Sequence, residues 1–184
     1  EGSSLRSATL AEGSRAVAPG LFSGCSSLSS VSLPATVASV GECAFQNCSG
    51  LPASLEVPPS VTELRNFAYE GCSSVESLSL PGSLASVGDS AFQGCSRLAS
   101  LSLPASVASV GDGAFRGCSS LASVTLPEGL RALGSSVFSG CPVESVEVPA
   151  SLETTGGARR LMGGPFEGSS LRSATLAEGS RAVA

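Results

Sequence analysis

The sequence predicts one solenoid domain of about eight coils over residues 1–184, with a parallel β-sheet on its concave side and short 3₁₀ or irregular turns on its convex side. Three observations predict this fold class. Cysteines recur at intervals of 23 or 24 residues from Cys25 to Cys141. Every interval repeats the same apolar positions, and every interval has a proline nine or ten residues after the cysteine. A unit of this length cannot bury its own apolar face, so successive units have to stack on one another.

The first part of each coil is predicted to be a short strand. In the coil 96–118, the segment from Leu98 to Pro104 places apolar residues between polar ones, as expected of a half-buried strand. Pro104 has no N–H group to continue a ladder and therefore ends the strand. One such strand per coil, stacked coil on coil, gives the parallel sheet.

The second part of each coil is predicted to turn over the convex side. Val107 and Val110 point inward, and Gly111 allows a tight bend. The Ala-Phe-x-Gly-Cys segment forms one helical or 3₁₀ turn that inserts Phe115 between coils. A glycine before the cysteine indicates a left-handed backbone conformation, for which Asn47 is the best substitute in its own coil. These glycines are Gly24, Gly71, Gly94, Gly117 and Gly140.

Two coils depart from the pattern. In the coil 49–72, Arg65 replaces the usual glycine and Tyr69 replaces the usual phenylalanine. The coil 142–168 is four residues longer than the norm and lacks the closing cysteine. Its segment 154–166 is predicted to be an irregular insertion that carries two arginines. This insertion is either a contact loop or a tolerated addition without a function.

The two ends of the chain have the same sequence. Residues 1–18 recur letter for letter at 167–184, an offset that corresponds to seven coils. The duplication predicts that the chain is a fragment or unit of a longer tandem array; the alternative is an overlap added artificially to one unit. Neither end carries an evident polar cap, so we expect the native polypeptide to be longer.

The composition argues against several functions. The chain has no His, no Trp and no Lys, and all ten cationic residues are Arg. The usual general base, the commonest metal ligand and the phosphate-binding lysine are therefore missing, and we expect no catalytic site, cofactor or metal. A net charge of −5 disfavours nucleic acid as a partner. No apolar run approaches the length of a membrane span, and no signal peptide is evident.

Six of the seven cysteines occupy equivalent positions in successive coils. Stacked coils lie roughly 5 Å apart, which is within disulfide range. Because equivalent side chains point in parallel, however, we predict a ladder of buried free thiols. Cys43 lies outside this ladder and is predicted to be partly exposed. The sequence Asn47-Cys48-Ser49 matches a glycosylation site, although the turn already explains the asparagine.

The outward-facing strand positions are the candidate binding residues. They form two columns of hydroxyl groups along the predicted concave sheet, with Glu56 and Glu147 as exceptions. The columns either keep the sheet soluble, bind a protein or glycan partner, carry glycans, or form an ice-binding array. They contain no Trp, Tyr or Arg, the usual anchors of tight interfaces. The candidate residues are Ser30, Ser32, Ser54, Ser77, Ser79, Ser100, Ser102, Ser123, Thr125, Ser173 and Thr175.

The repeated motif LxSVxLPxSVxSVGDxAFxGCSSL resembles the BspA-like class of leucine-rich repeats, with 23-residue repeats. The resemblance covers nearly the whole chain and implies adhesion or protein binding without catalysis. It favours a cell-surface or extracellular-matrix protein that belongs to a longer array. The alternative is a scaffold or linker subunit of a large multiprotein complex, possibly in an organelle.

Overall fold

The computed structural model describes residues 4–152 and 164–176, which form a parallel β-solenoid without a helix. Six coils are complete, each with one strand of three residues and one of two. This is fewer than the predicted number of about eight, because the last two coils contribute only their first strand to the described residues. Accordingly, no helix that could span a membrane is found in these two ranges.

Each complete coil contains two strands, whereas the sequence predicted one. The predicted strands are β1 (Ser7–Thr9), β3 (Ser30–Ser32), β5 (Ser54–Glu56), β7 (Ser77–Ser79), β9 (Ser100–Ser102), β11 (Ser123–Thr125), β13 (Ser145–Val148) and β14 (Ser173–Leu176). The additional strands are β2 (Ala16–Val17), β4 (Ser39–Val40), β6 (Glu63–Leu64), β8 (Ser86–Val87), β10 (Ser109–Val110) and β12 (Ala132–Leu133).

The short additional strands form the continuous sheet of the molecule. Its order is β2, β4, β6, β8, β10, β12, and every pairing is parallel. In each pairing the second residue of one strand lies opposite the second residue of the next, as Val87 lies opposite Val110. These residues point into the core, which explains why the valines of the second part of the coil recur so regularly.

The longer strands pair only in twos. The pairs are β1 with β3, β5 with β7, β9 with β11, and β13 with β14. The ladder is therefore interrupted after β3, after β7 and after β11, although the strands remain parallel as predicted.

The Ala-Phe-x-Gly-Cys segment forms short turns, as predicted, and no helix; its bonds to the residue three positions earlier alternate with bonds to the next coil. In the coil 73–95 the N–H groups of Ser90, Phe92 and Gly94 each donate to a carbonyl of the next coil at 2.8 Å. The intervening N–H groups, such as that of Gln93, bond within the coil to the residue three positions earlier. Because every second donor is committed to the neighbouring coil, the consecutive bonds of a helix cannot form.

Two left-handed positions per coil make this turn possible. The position before the cysteine has a positive φ as predicted, at 73° in Gly94 and 58° in Asn47. A second left-handed position lies four residues earlier and was not predicted. It is occupied by Gly20, Cys43, Phe67, Ser90, Gly113 and Ser136. The varied side chains at this position hid the pattern, since only two of the six residues are glycine.

Gly111 is required by close packing and not by the tight bend that the sequence suggested. Its φ is not positive, but a Cβ atom there would lie 2.6 Å from the Asp89 nitrogen of the preceding coil. The Asp89 carboxylate in turn accepts the N–H of Asp112 at 2.9 Å. Asn66 and Asp112 make the same bond to the coils that follow them, at 2.9 and 2.7 Å. The Gly-Asp pair of the repeat thus joins adjacent coils through the backbone.

The core is one apolar column that runs through the described coils. Seven aromatic rings stack along it with centroid separations of 5.0–5.9 Å. The inward orientation predicted for Phe115 is confirmed, since its side chain is fully buried. The last ring is Phe166, so the long coil continues the stack although it has no closing cysteine. The rest of its predicted insertion, residues 154–163, lies outside the described residues.

Candidate binding surface

We define the hydroxyl face as the outward side chains of the eight longer strands. All eleven residues predicted from the sequence are exposed on this face. Between them the inward residues, such as Leu101 and Val124, are buried. Their outward position is therefore as expected, while binding by these residues remains a prediction.

The pairing registers align the hydroxyl groups into two rows. Ser100 lies opposite Ser123, and Ser102 lies opposite Thr125. Within each of the four strand pairs, neighbouring hydroxyls in a row are thus one strand spacing apart, roughly 4.8 Å. Ser7 and Thr9 extend the rows, lying opposite Ser30 and Ser32, and are exposed. Ser7 and Thr9 could have been identified from the sequence. Residues 1–18 are identical to 167–184, and Ser173 and Thr175 occupy the same places in the second copy.

Charged side chains lie along the edge of the face where the strands begin. Arg97 forms an ion pair with Glu76, and Arg172 forms a weaker one with Glu144 at 3.9 Å. All four side chains are largely exposed, so each pair contributes at most about 1 kcal/mol. Their role at this edge is to cancel charge, which leaves the rows themselves mostly neutral.

The cysteine ladder lies inside the molecule, on the side of the aromatic stack. Five of its six thiols, all except Cys25, donate to the carbonyl of the stacked aromatic residue in the preceding coil, for example Cys48 to Phe22 at 3.0 Å and Cys141 to Phe115 at 3.1 Å. The prediction of six buried free thiols is confirmed. Burial raises the pKa of the Cys48 thiol to about 11 and that of Cys95 to about 12, which keeps both protonated.

Cys43 is half-buried, as predicted, and occupies the second left-handed position of its coil. Partial burial is the main cause that raises the pKa of this thiol, and Glu42 and Glu70 add to it. Within 4–152 and 164–176, no group of three or more His, Cys, Asp or Glu side chains is placed to hold a metal ion. Asn47 of the possible glycosylation site is exposed.

Two further arginines outside the hydroxyl face are also exposed. Arg116 and Arg131 project from the turns that connect the strands, away from the two rows. Neither forms an ion pair with another described residue. They are free to contact a partner that extends beyond the hydroxyl face.

Comparison with known proteins gives a family match over most of the chain. A family model described as the BspA type leucine-rich repeat region matches residues 1–96 and 51–158, in six copies. Six copies agree with the six complete coils of the structure. A comparison with curated protein sequences found no significant match.

Solved structures give the same fold. A leucine-rich repeat protein from T. pallidum, TpLRR, is 35% identical with a TM-score of 0.73, over 80% of this chain and 73% of its own. One from Bacteroides ovatus is 25% identical with a TM-score of 0.65, over 80% of this chain and 44% of its own. A leucine-rich cell surface protein from Faecalibacterium prausnitzii is 24% identical with a TM-score of 0.61, over 96% of this chain and 61% of its own. At this last level of identity the likeness shows the fold alone.

Proposed function

The chain belongs to the BspA-type leucine-rich repeat family, and from that premise we propose that it is a non-catalytic solenoid that binds other proteins through its hydroxyl face. Solenoids of this kind serve interaction or structural roles, because their stacked coils present a long surface on a rigid core. The location that we propose is the cell surface or the extracellular matrix, where the chain acts as an adhesion or array protein.

The observation that carries the proposal is the pair of in-register hydroxyl rows. Within each strand pair the hydroxyls of a row lie one strand spacing apart, and each hydroxyl is both a donor and an acceptor of hydrogen bonds. A partner with polar groups at a similar spacing can therefore bond to several coils at once. This favours an extended protein segment, with a glycan as the alternative ligand.

The small size of these side chains implies that each contact is weak. The rows contain no aromatic or arginine anchor, so no single residue supplies several kcal/mol. We infer that useful affinity comes from many coils acting together, which a longer tandem array would multiply. The identity of residues 1–18 and 167–184 supports such an array.

The absence of catalysis is proposed from the side chains present. The chain has no His and no Lys, and burial holds the Cys48 and Cys95 thiols protonated by raising their pKa. A protonated thiol is a poor nucleophile, so these two members of the ladder offer no nucleophilic chemistry.

A second candidate function is a scaffold or linker subunit of a large complex, such as one in an organelle. The flat, small-residue surface favours it, because such a surface suits a static contact matched in shape over a large area. The two functions predict different properties of the isolated protein: whether it has partners at a fixed ratio, and whether it carries glycans.

Gentle extraction from the source, followed by native size separation and mass spectrometry, distinguishes them. The surface-array proposal predicts a longer chain, with or without attached glycans, that elutes without a partner at constant ratio. Elution with fixed partners at constant ratio would contradict that proposal and support the scaffold.

A further inference from the structure

The hydroxyl face is interrupted most completely between β3 and β5. No ladder joins these strands, since β3 pairs only with β1 and β5 only with β7. At five of the other six junctions the residue just before the strand donates its N–H to the preceding coil, as Glu76 does to Ala53. The junction between β11 and β13, which lies within residues 4–152, lacks both the ladder and such a bond, but Cα atoms of those strands lie within 8 Å of each other, whereas none of β3 lies within 8 Å of β5. The described residues contain no such bond from Ala53 to the coil before it. The extra residue of this 24-residue coil falls at this point, next to Pro52.

A cavity of about 400 Å³ opens at this interruption. Its apolar lining includes Val31, Leu55 and Pro58, together with two residues of the aromatic stack, Phe45 and Tyr69. The opening lies on the hydroxyl face, where Ser32, Ser54 and Glu56 surround it. The rings remain 5.0 Å apart, so the coils stay stacked in the core and separate only toward the face.

Tyr69 adds a hydroxyl group to the apolar part of the cavity lining. Its side chain is 1% exposed, and its hydroxyl makes no hydrogen bond to any described residue. Every fully buried side-chain nitrogen or oxygen in the described ranges does have a partner. The Tyr69 hydroxyl oxygen has no such partner, so it must be in contact with empty space. The cavity described above is the empty space that Tyr69 lines. It is the one ring of the stack that carries a polar group.

Glu56 gives the opening a negative charge. It occupies the position that Ser32, Ser79 and Ser102 hold on other strands, and it is exposed. It forms no ion pair with another described residue. A cation on a partner would therefore find an uncompensated carboxylate beside an apolar cavity.

We propose that this cavity binds an extended segment of a partner protein in which an apolar side chain is flanked by arginine or lysine. The apolar side chain enters against Leu55 and Phe45, a backbone carbonyl accepts from the Tyr69 hydroxyl, and the cation pairs with Glu56. The facing strands β3 and β5 lack a ladder to each other, so their edges are available for strand-like bonds to the segment. This inference rests on the proposed protein-binding role of the hydroxyl face.

The single tyrosine makes the cavity directly observable. The chain has one Tyr and no Trp, so its intrinsic fluorescence comes from Tyr69 alone. The probe is the capped peptide acetyl-Ser-Arg-Leu-Arg-Ser-amide, titrated into the full chain. Two peptides serve as controls: one has Glu in place of both Arg, and one has Ser in place of Leu. We expect a saturable change in tyrosine emission with the probe and little change with either control peptide.

Calorimetry with three variants then tests the contacts. Glu56→Gln and Tyr69→Phe should each lower the affinity for the probe peptide about fivefold, as expected for the loss of one hydrogen bond or one charge contact. Tyr69→Phe keeps the stacked ring, and Glu56→Gln changes an exposed side chain, so both should fold. Glu128→Gln removes the same charge far from the cavity and should leave the affinity unchanged.

Equal affinity of the parent, Glu56→Gln and Tyr69→Phe would overturn the inference, as would absence of binding or equal binding of the Glu peptide. If the peptide fails while substitutions elsewhere on the hydroxyl face still abolish binding of a natural partner, only the cavity assignment is wrong. If no substitution on the hydroxyl face changes the affinity for natural partners, the proposed function itself is wrong.

Discussion

At the residue scale, two glycines that look alike in the sequence differ in whether packing requires them. Gly111 packs against the backbone of the preceding coil, where a Cβ atom would lie 2.6 Å from the Asp89 nitrogen. Gly82 has a negative φ and nothing within 4 Å of a Cβ atom. The first is needed for stacking, and the second is not.

Alanine substitutions measure this difference. Gly111→Ala should destabilise the chain by about 2 kcal/mol or more, because backbone atoms of the preceding coil cannot move aside cheaply. Gly82→Ala, the control, should change stability by less than about 1 kcal/mol. Chemical denaturation followed by circular dichroism gives both values. Equal losses would show that Gly111 has no special packing role.

The thiols are predicted to differ in reactivity. Cys43 is half-buried, while the other six cysteines are buried in the core. With a thiol reagent at pH 8 under native conditions, Cys43 should react first and the remaining six only as fast as the chain opens. In denaturant all seven should react together. Rapid native reaction of more than one thiol would contradict the ladder, and Cys43→Ser should remove the early phase.

The buried thiols also predict a loss of stability in alkali. The pKa of Cys95 is raised to about 12 in the folded chain, against an ordinary value near 9.0. The unfolded chain therefore loses the proton at lower pH, and stability falls as the pH rises from about 9 toward 12. At pH 10 this single thiol lowers the free energy of unfolding by about 1.4 kcal/mol relative to its value at pH 7. Denaturation of the reduced chain at pH 7 and pH 10 should show a smaller loss in Cys95→Ala than in the parent; an equal loss would count against this cause.

At the scale of elements, the aromatic stack is the principal contact between coils. Phe115 is fully buried between Phe92 and Phe138. Phe115→Ala should destabilise the chain by about 3–5 kcal/mol, because it empties a position in the middle of the column. Leu21 is 49% exposed, and Leu21→Ala is the matched control with a loss below about 1 kcal/mol. A Phe115→Ala chain that unfolds with the parent in urea would show that the stack does not hold the coils together.

Much of each coil could be predicted from the sequence, because its causes are local. The proline that ends the strand, the inward phenylalanine and the left-handed residue before the cysteine each leave a fixed residue type. The short second strand has no characteristic residue type, and a strand of two residues such as Ser109 and Val110 is too short to show an alternating pattern. The turn before the cysteine was expected to be helical because its bonds to the next coil are not visible in one repeat.

At the scale of the whole molecule, the interruptions of the hydroxyl face follow from the stacking of coils. The sequence predicted one continuous sheet, but β3 and β5 separate where the coil 49–72 has an extra residue and Pro52. The same coil carries Tyr69 and Glu56, which the sequence marked only as departures. The cavity that joins them could not be predicted, because it depends on where two successive coils stay in contact and where they separate.

The central claim is that the hydroxyl face is the surface that partners bind. The most direct test is to compare two double variants for binding of the partners that the parent chain retains. Ser100→Arg with Ser102→Arg places two charges on the face, while Ala85→Arg with Ala108→Arg places the same charges at exposed positions beside the six-stranded sheet. The account predicts at least a tenfold loss of affinity for the first variant and none for the second. Undiminished binding by the first variant would contradict it.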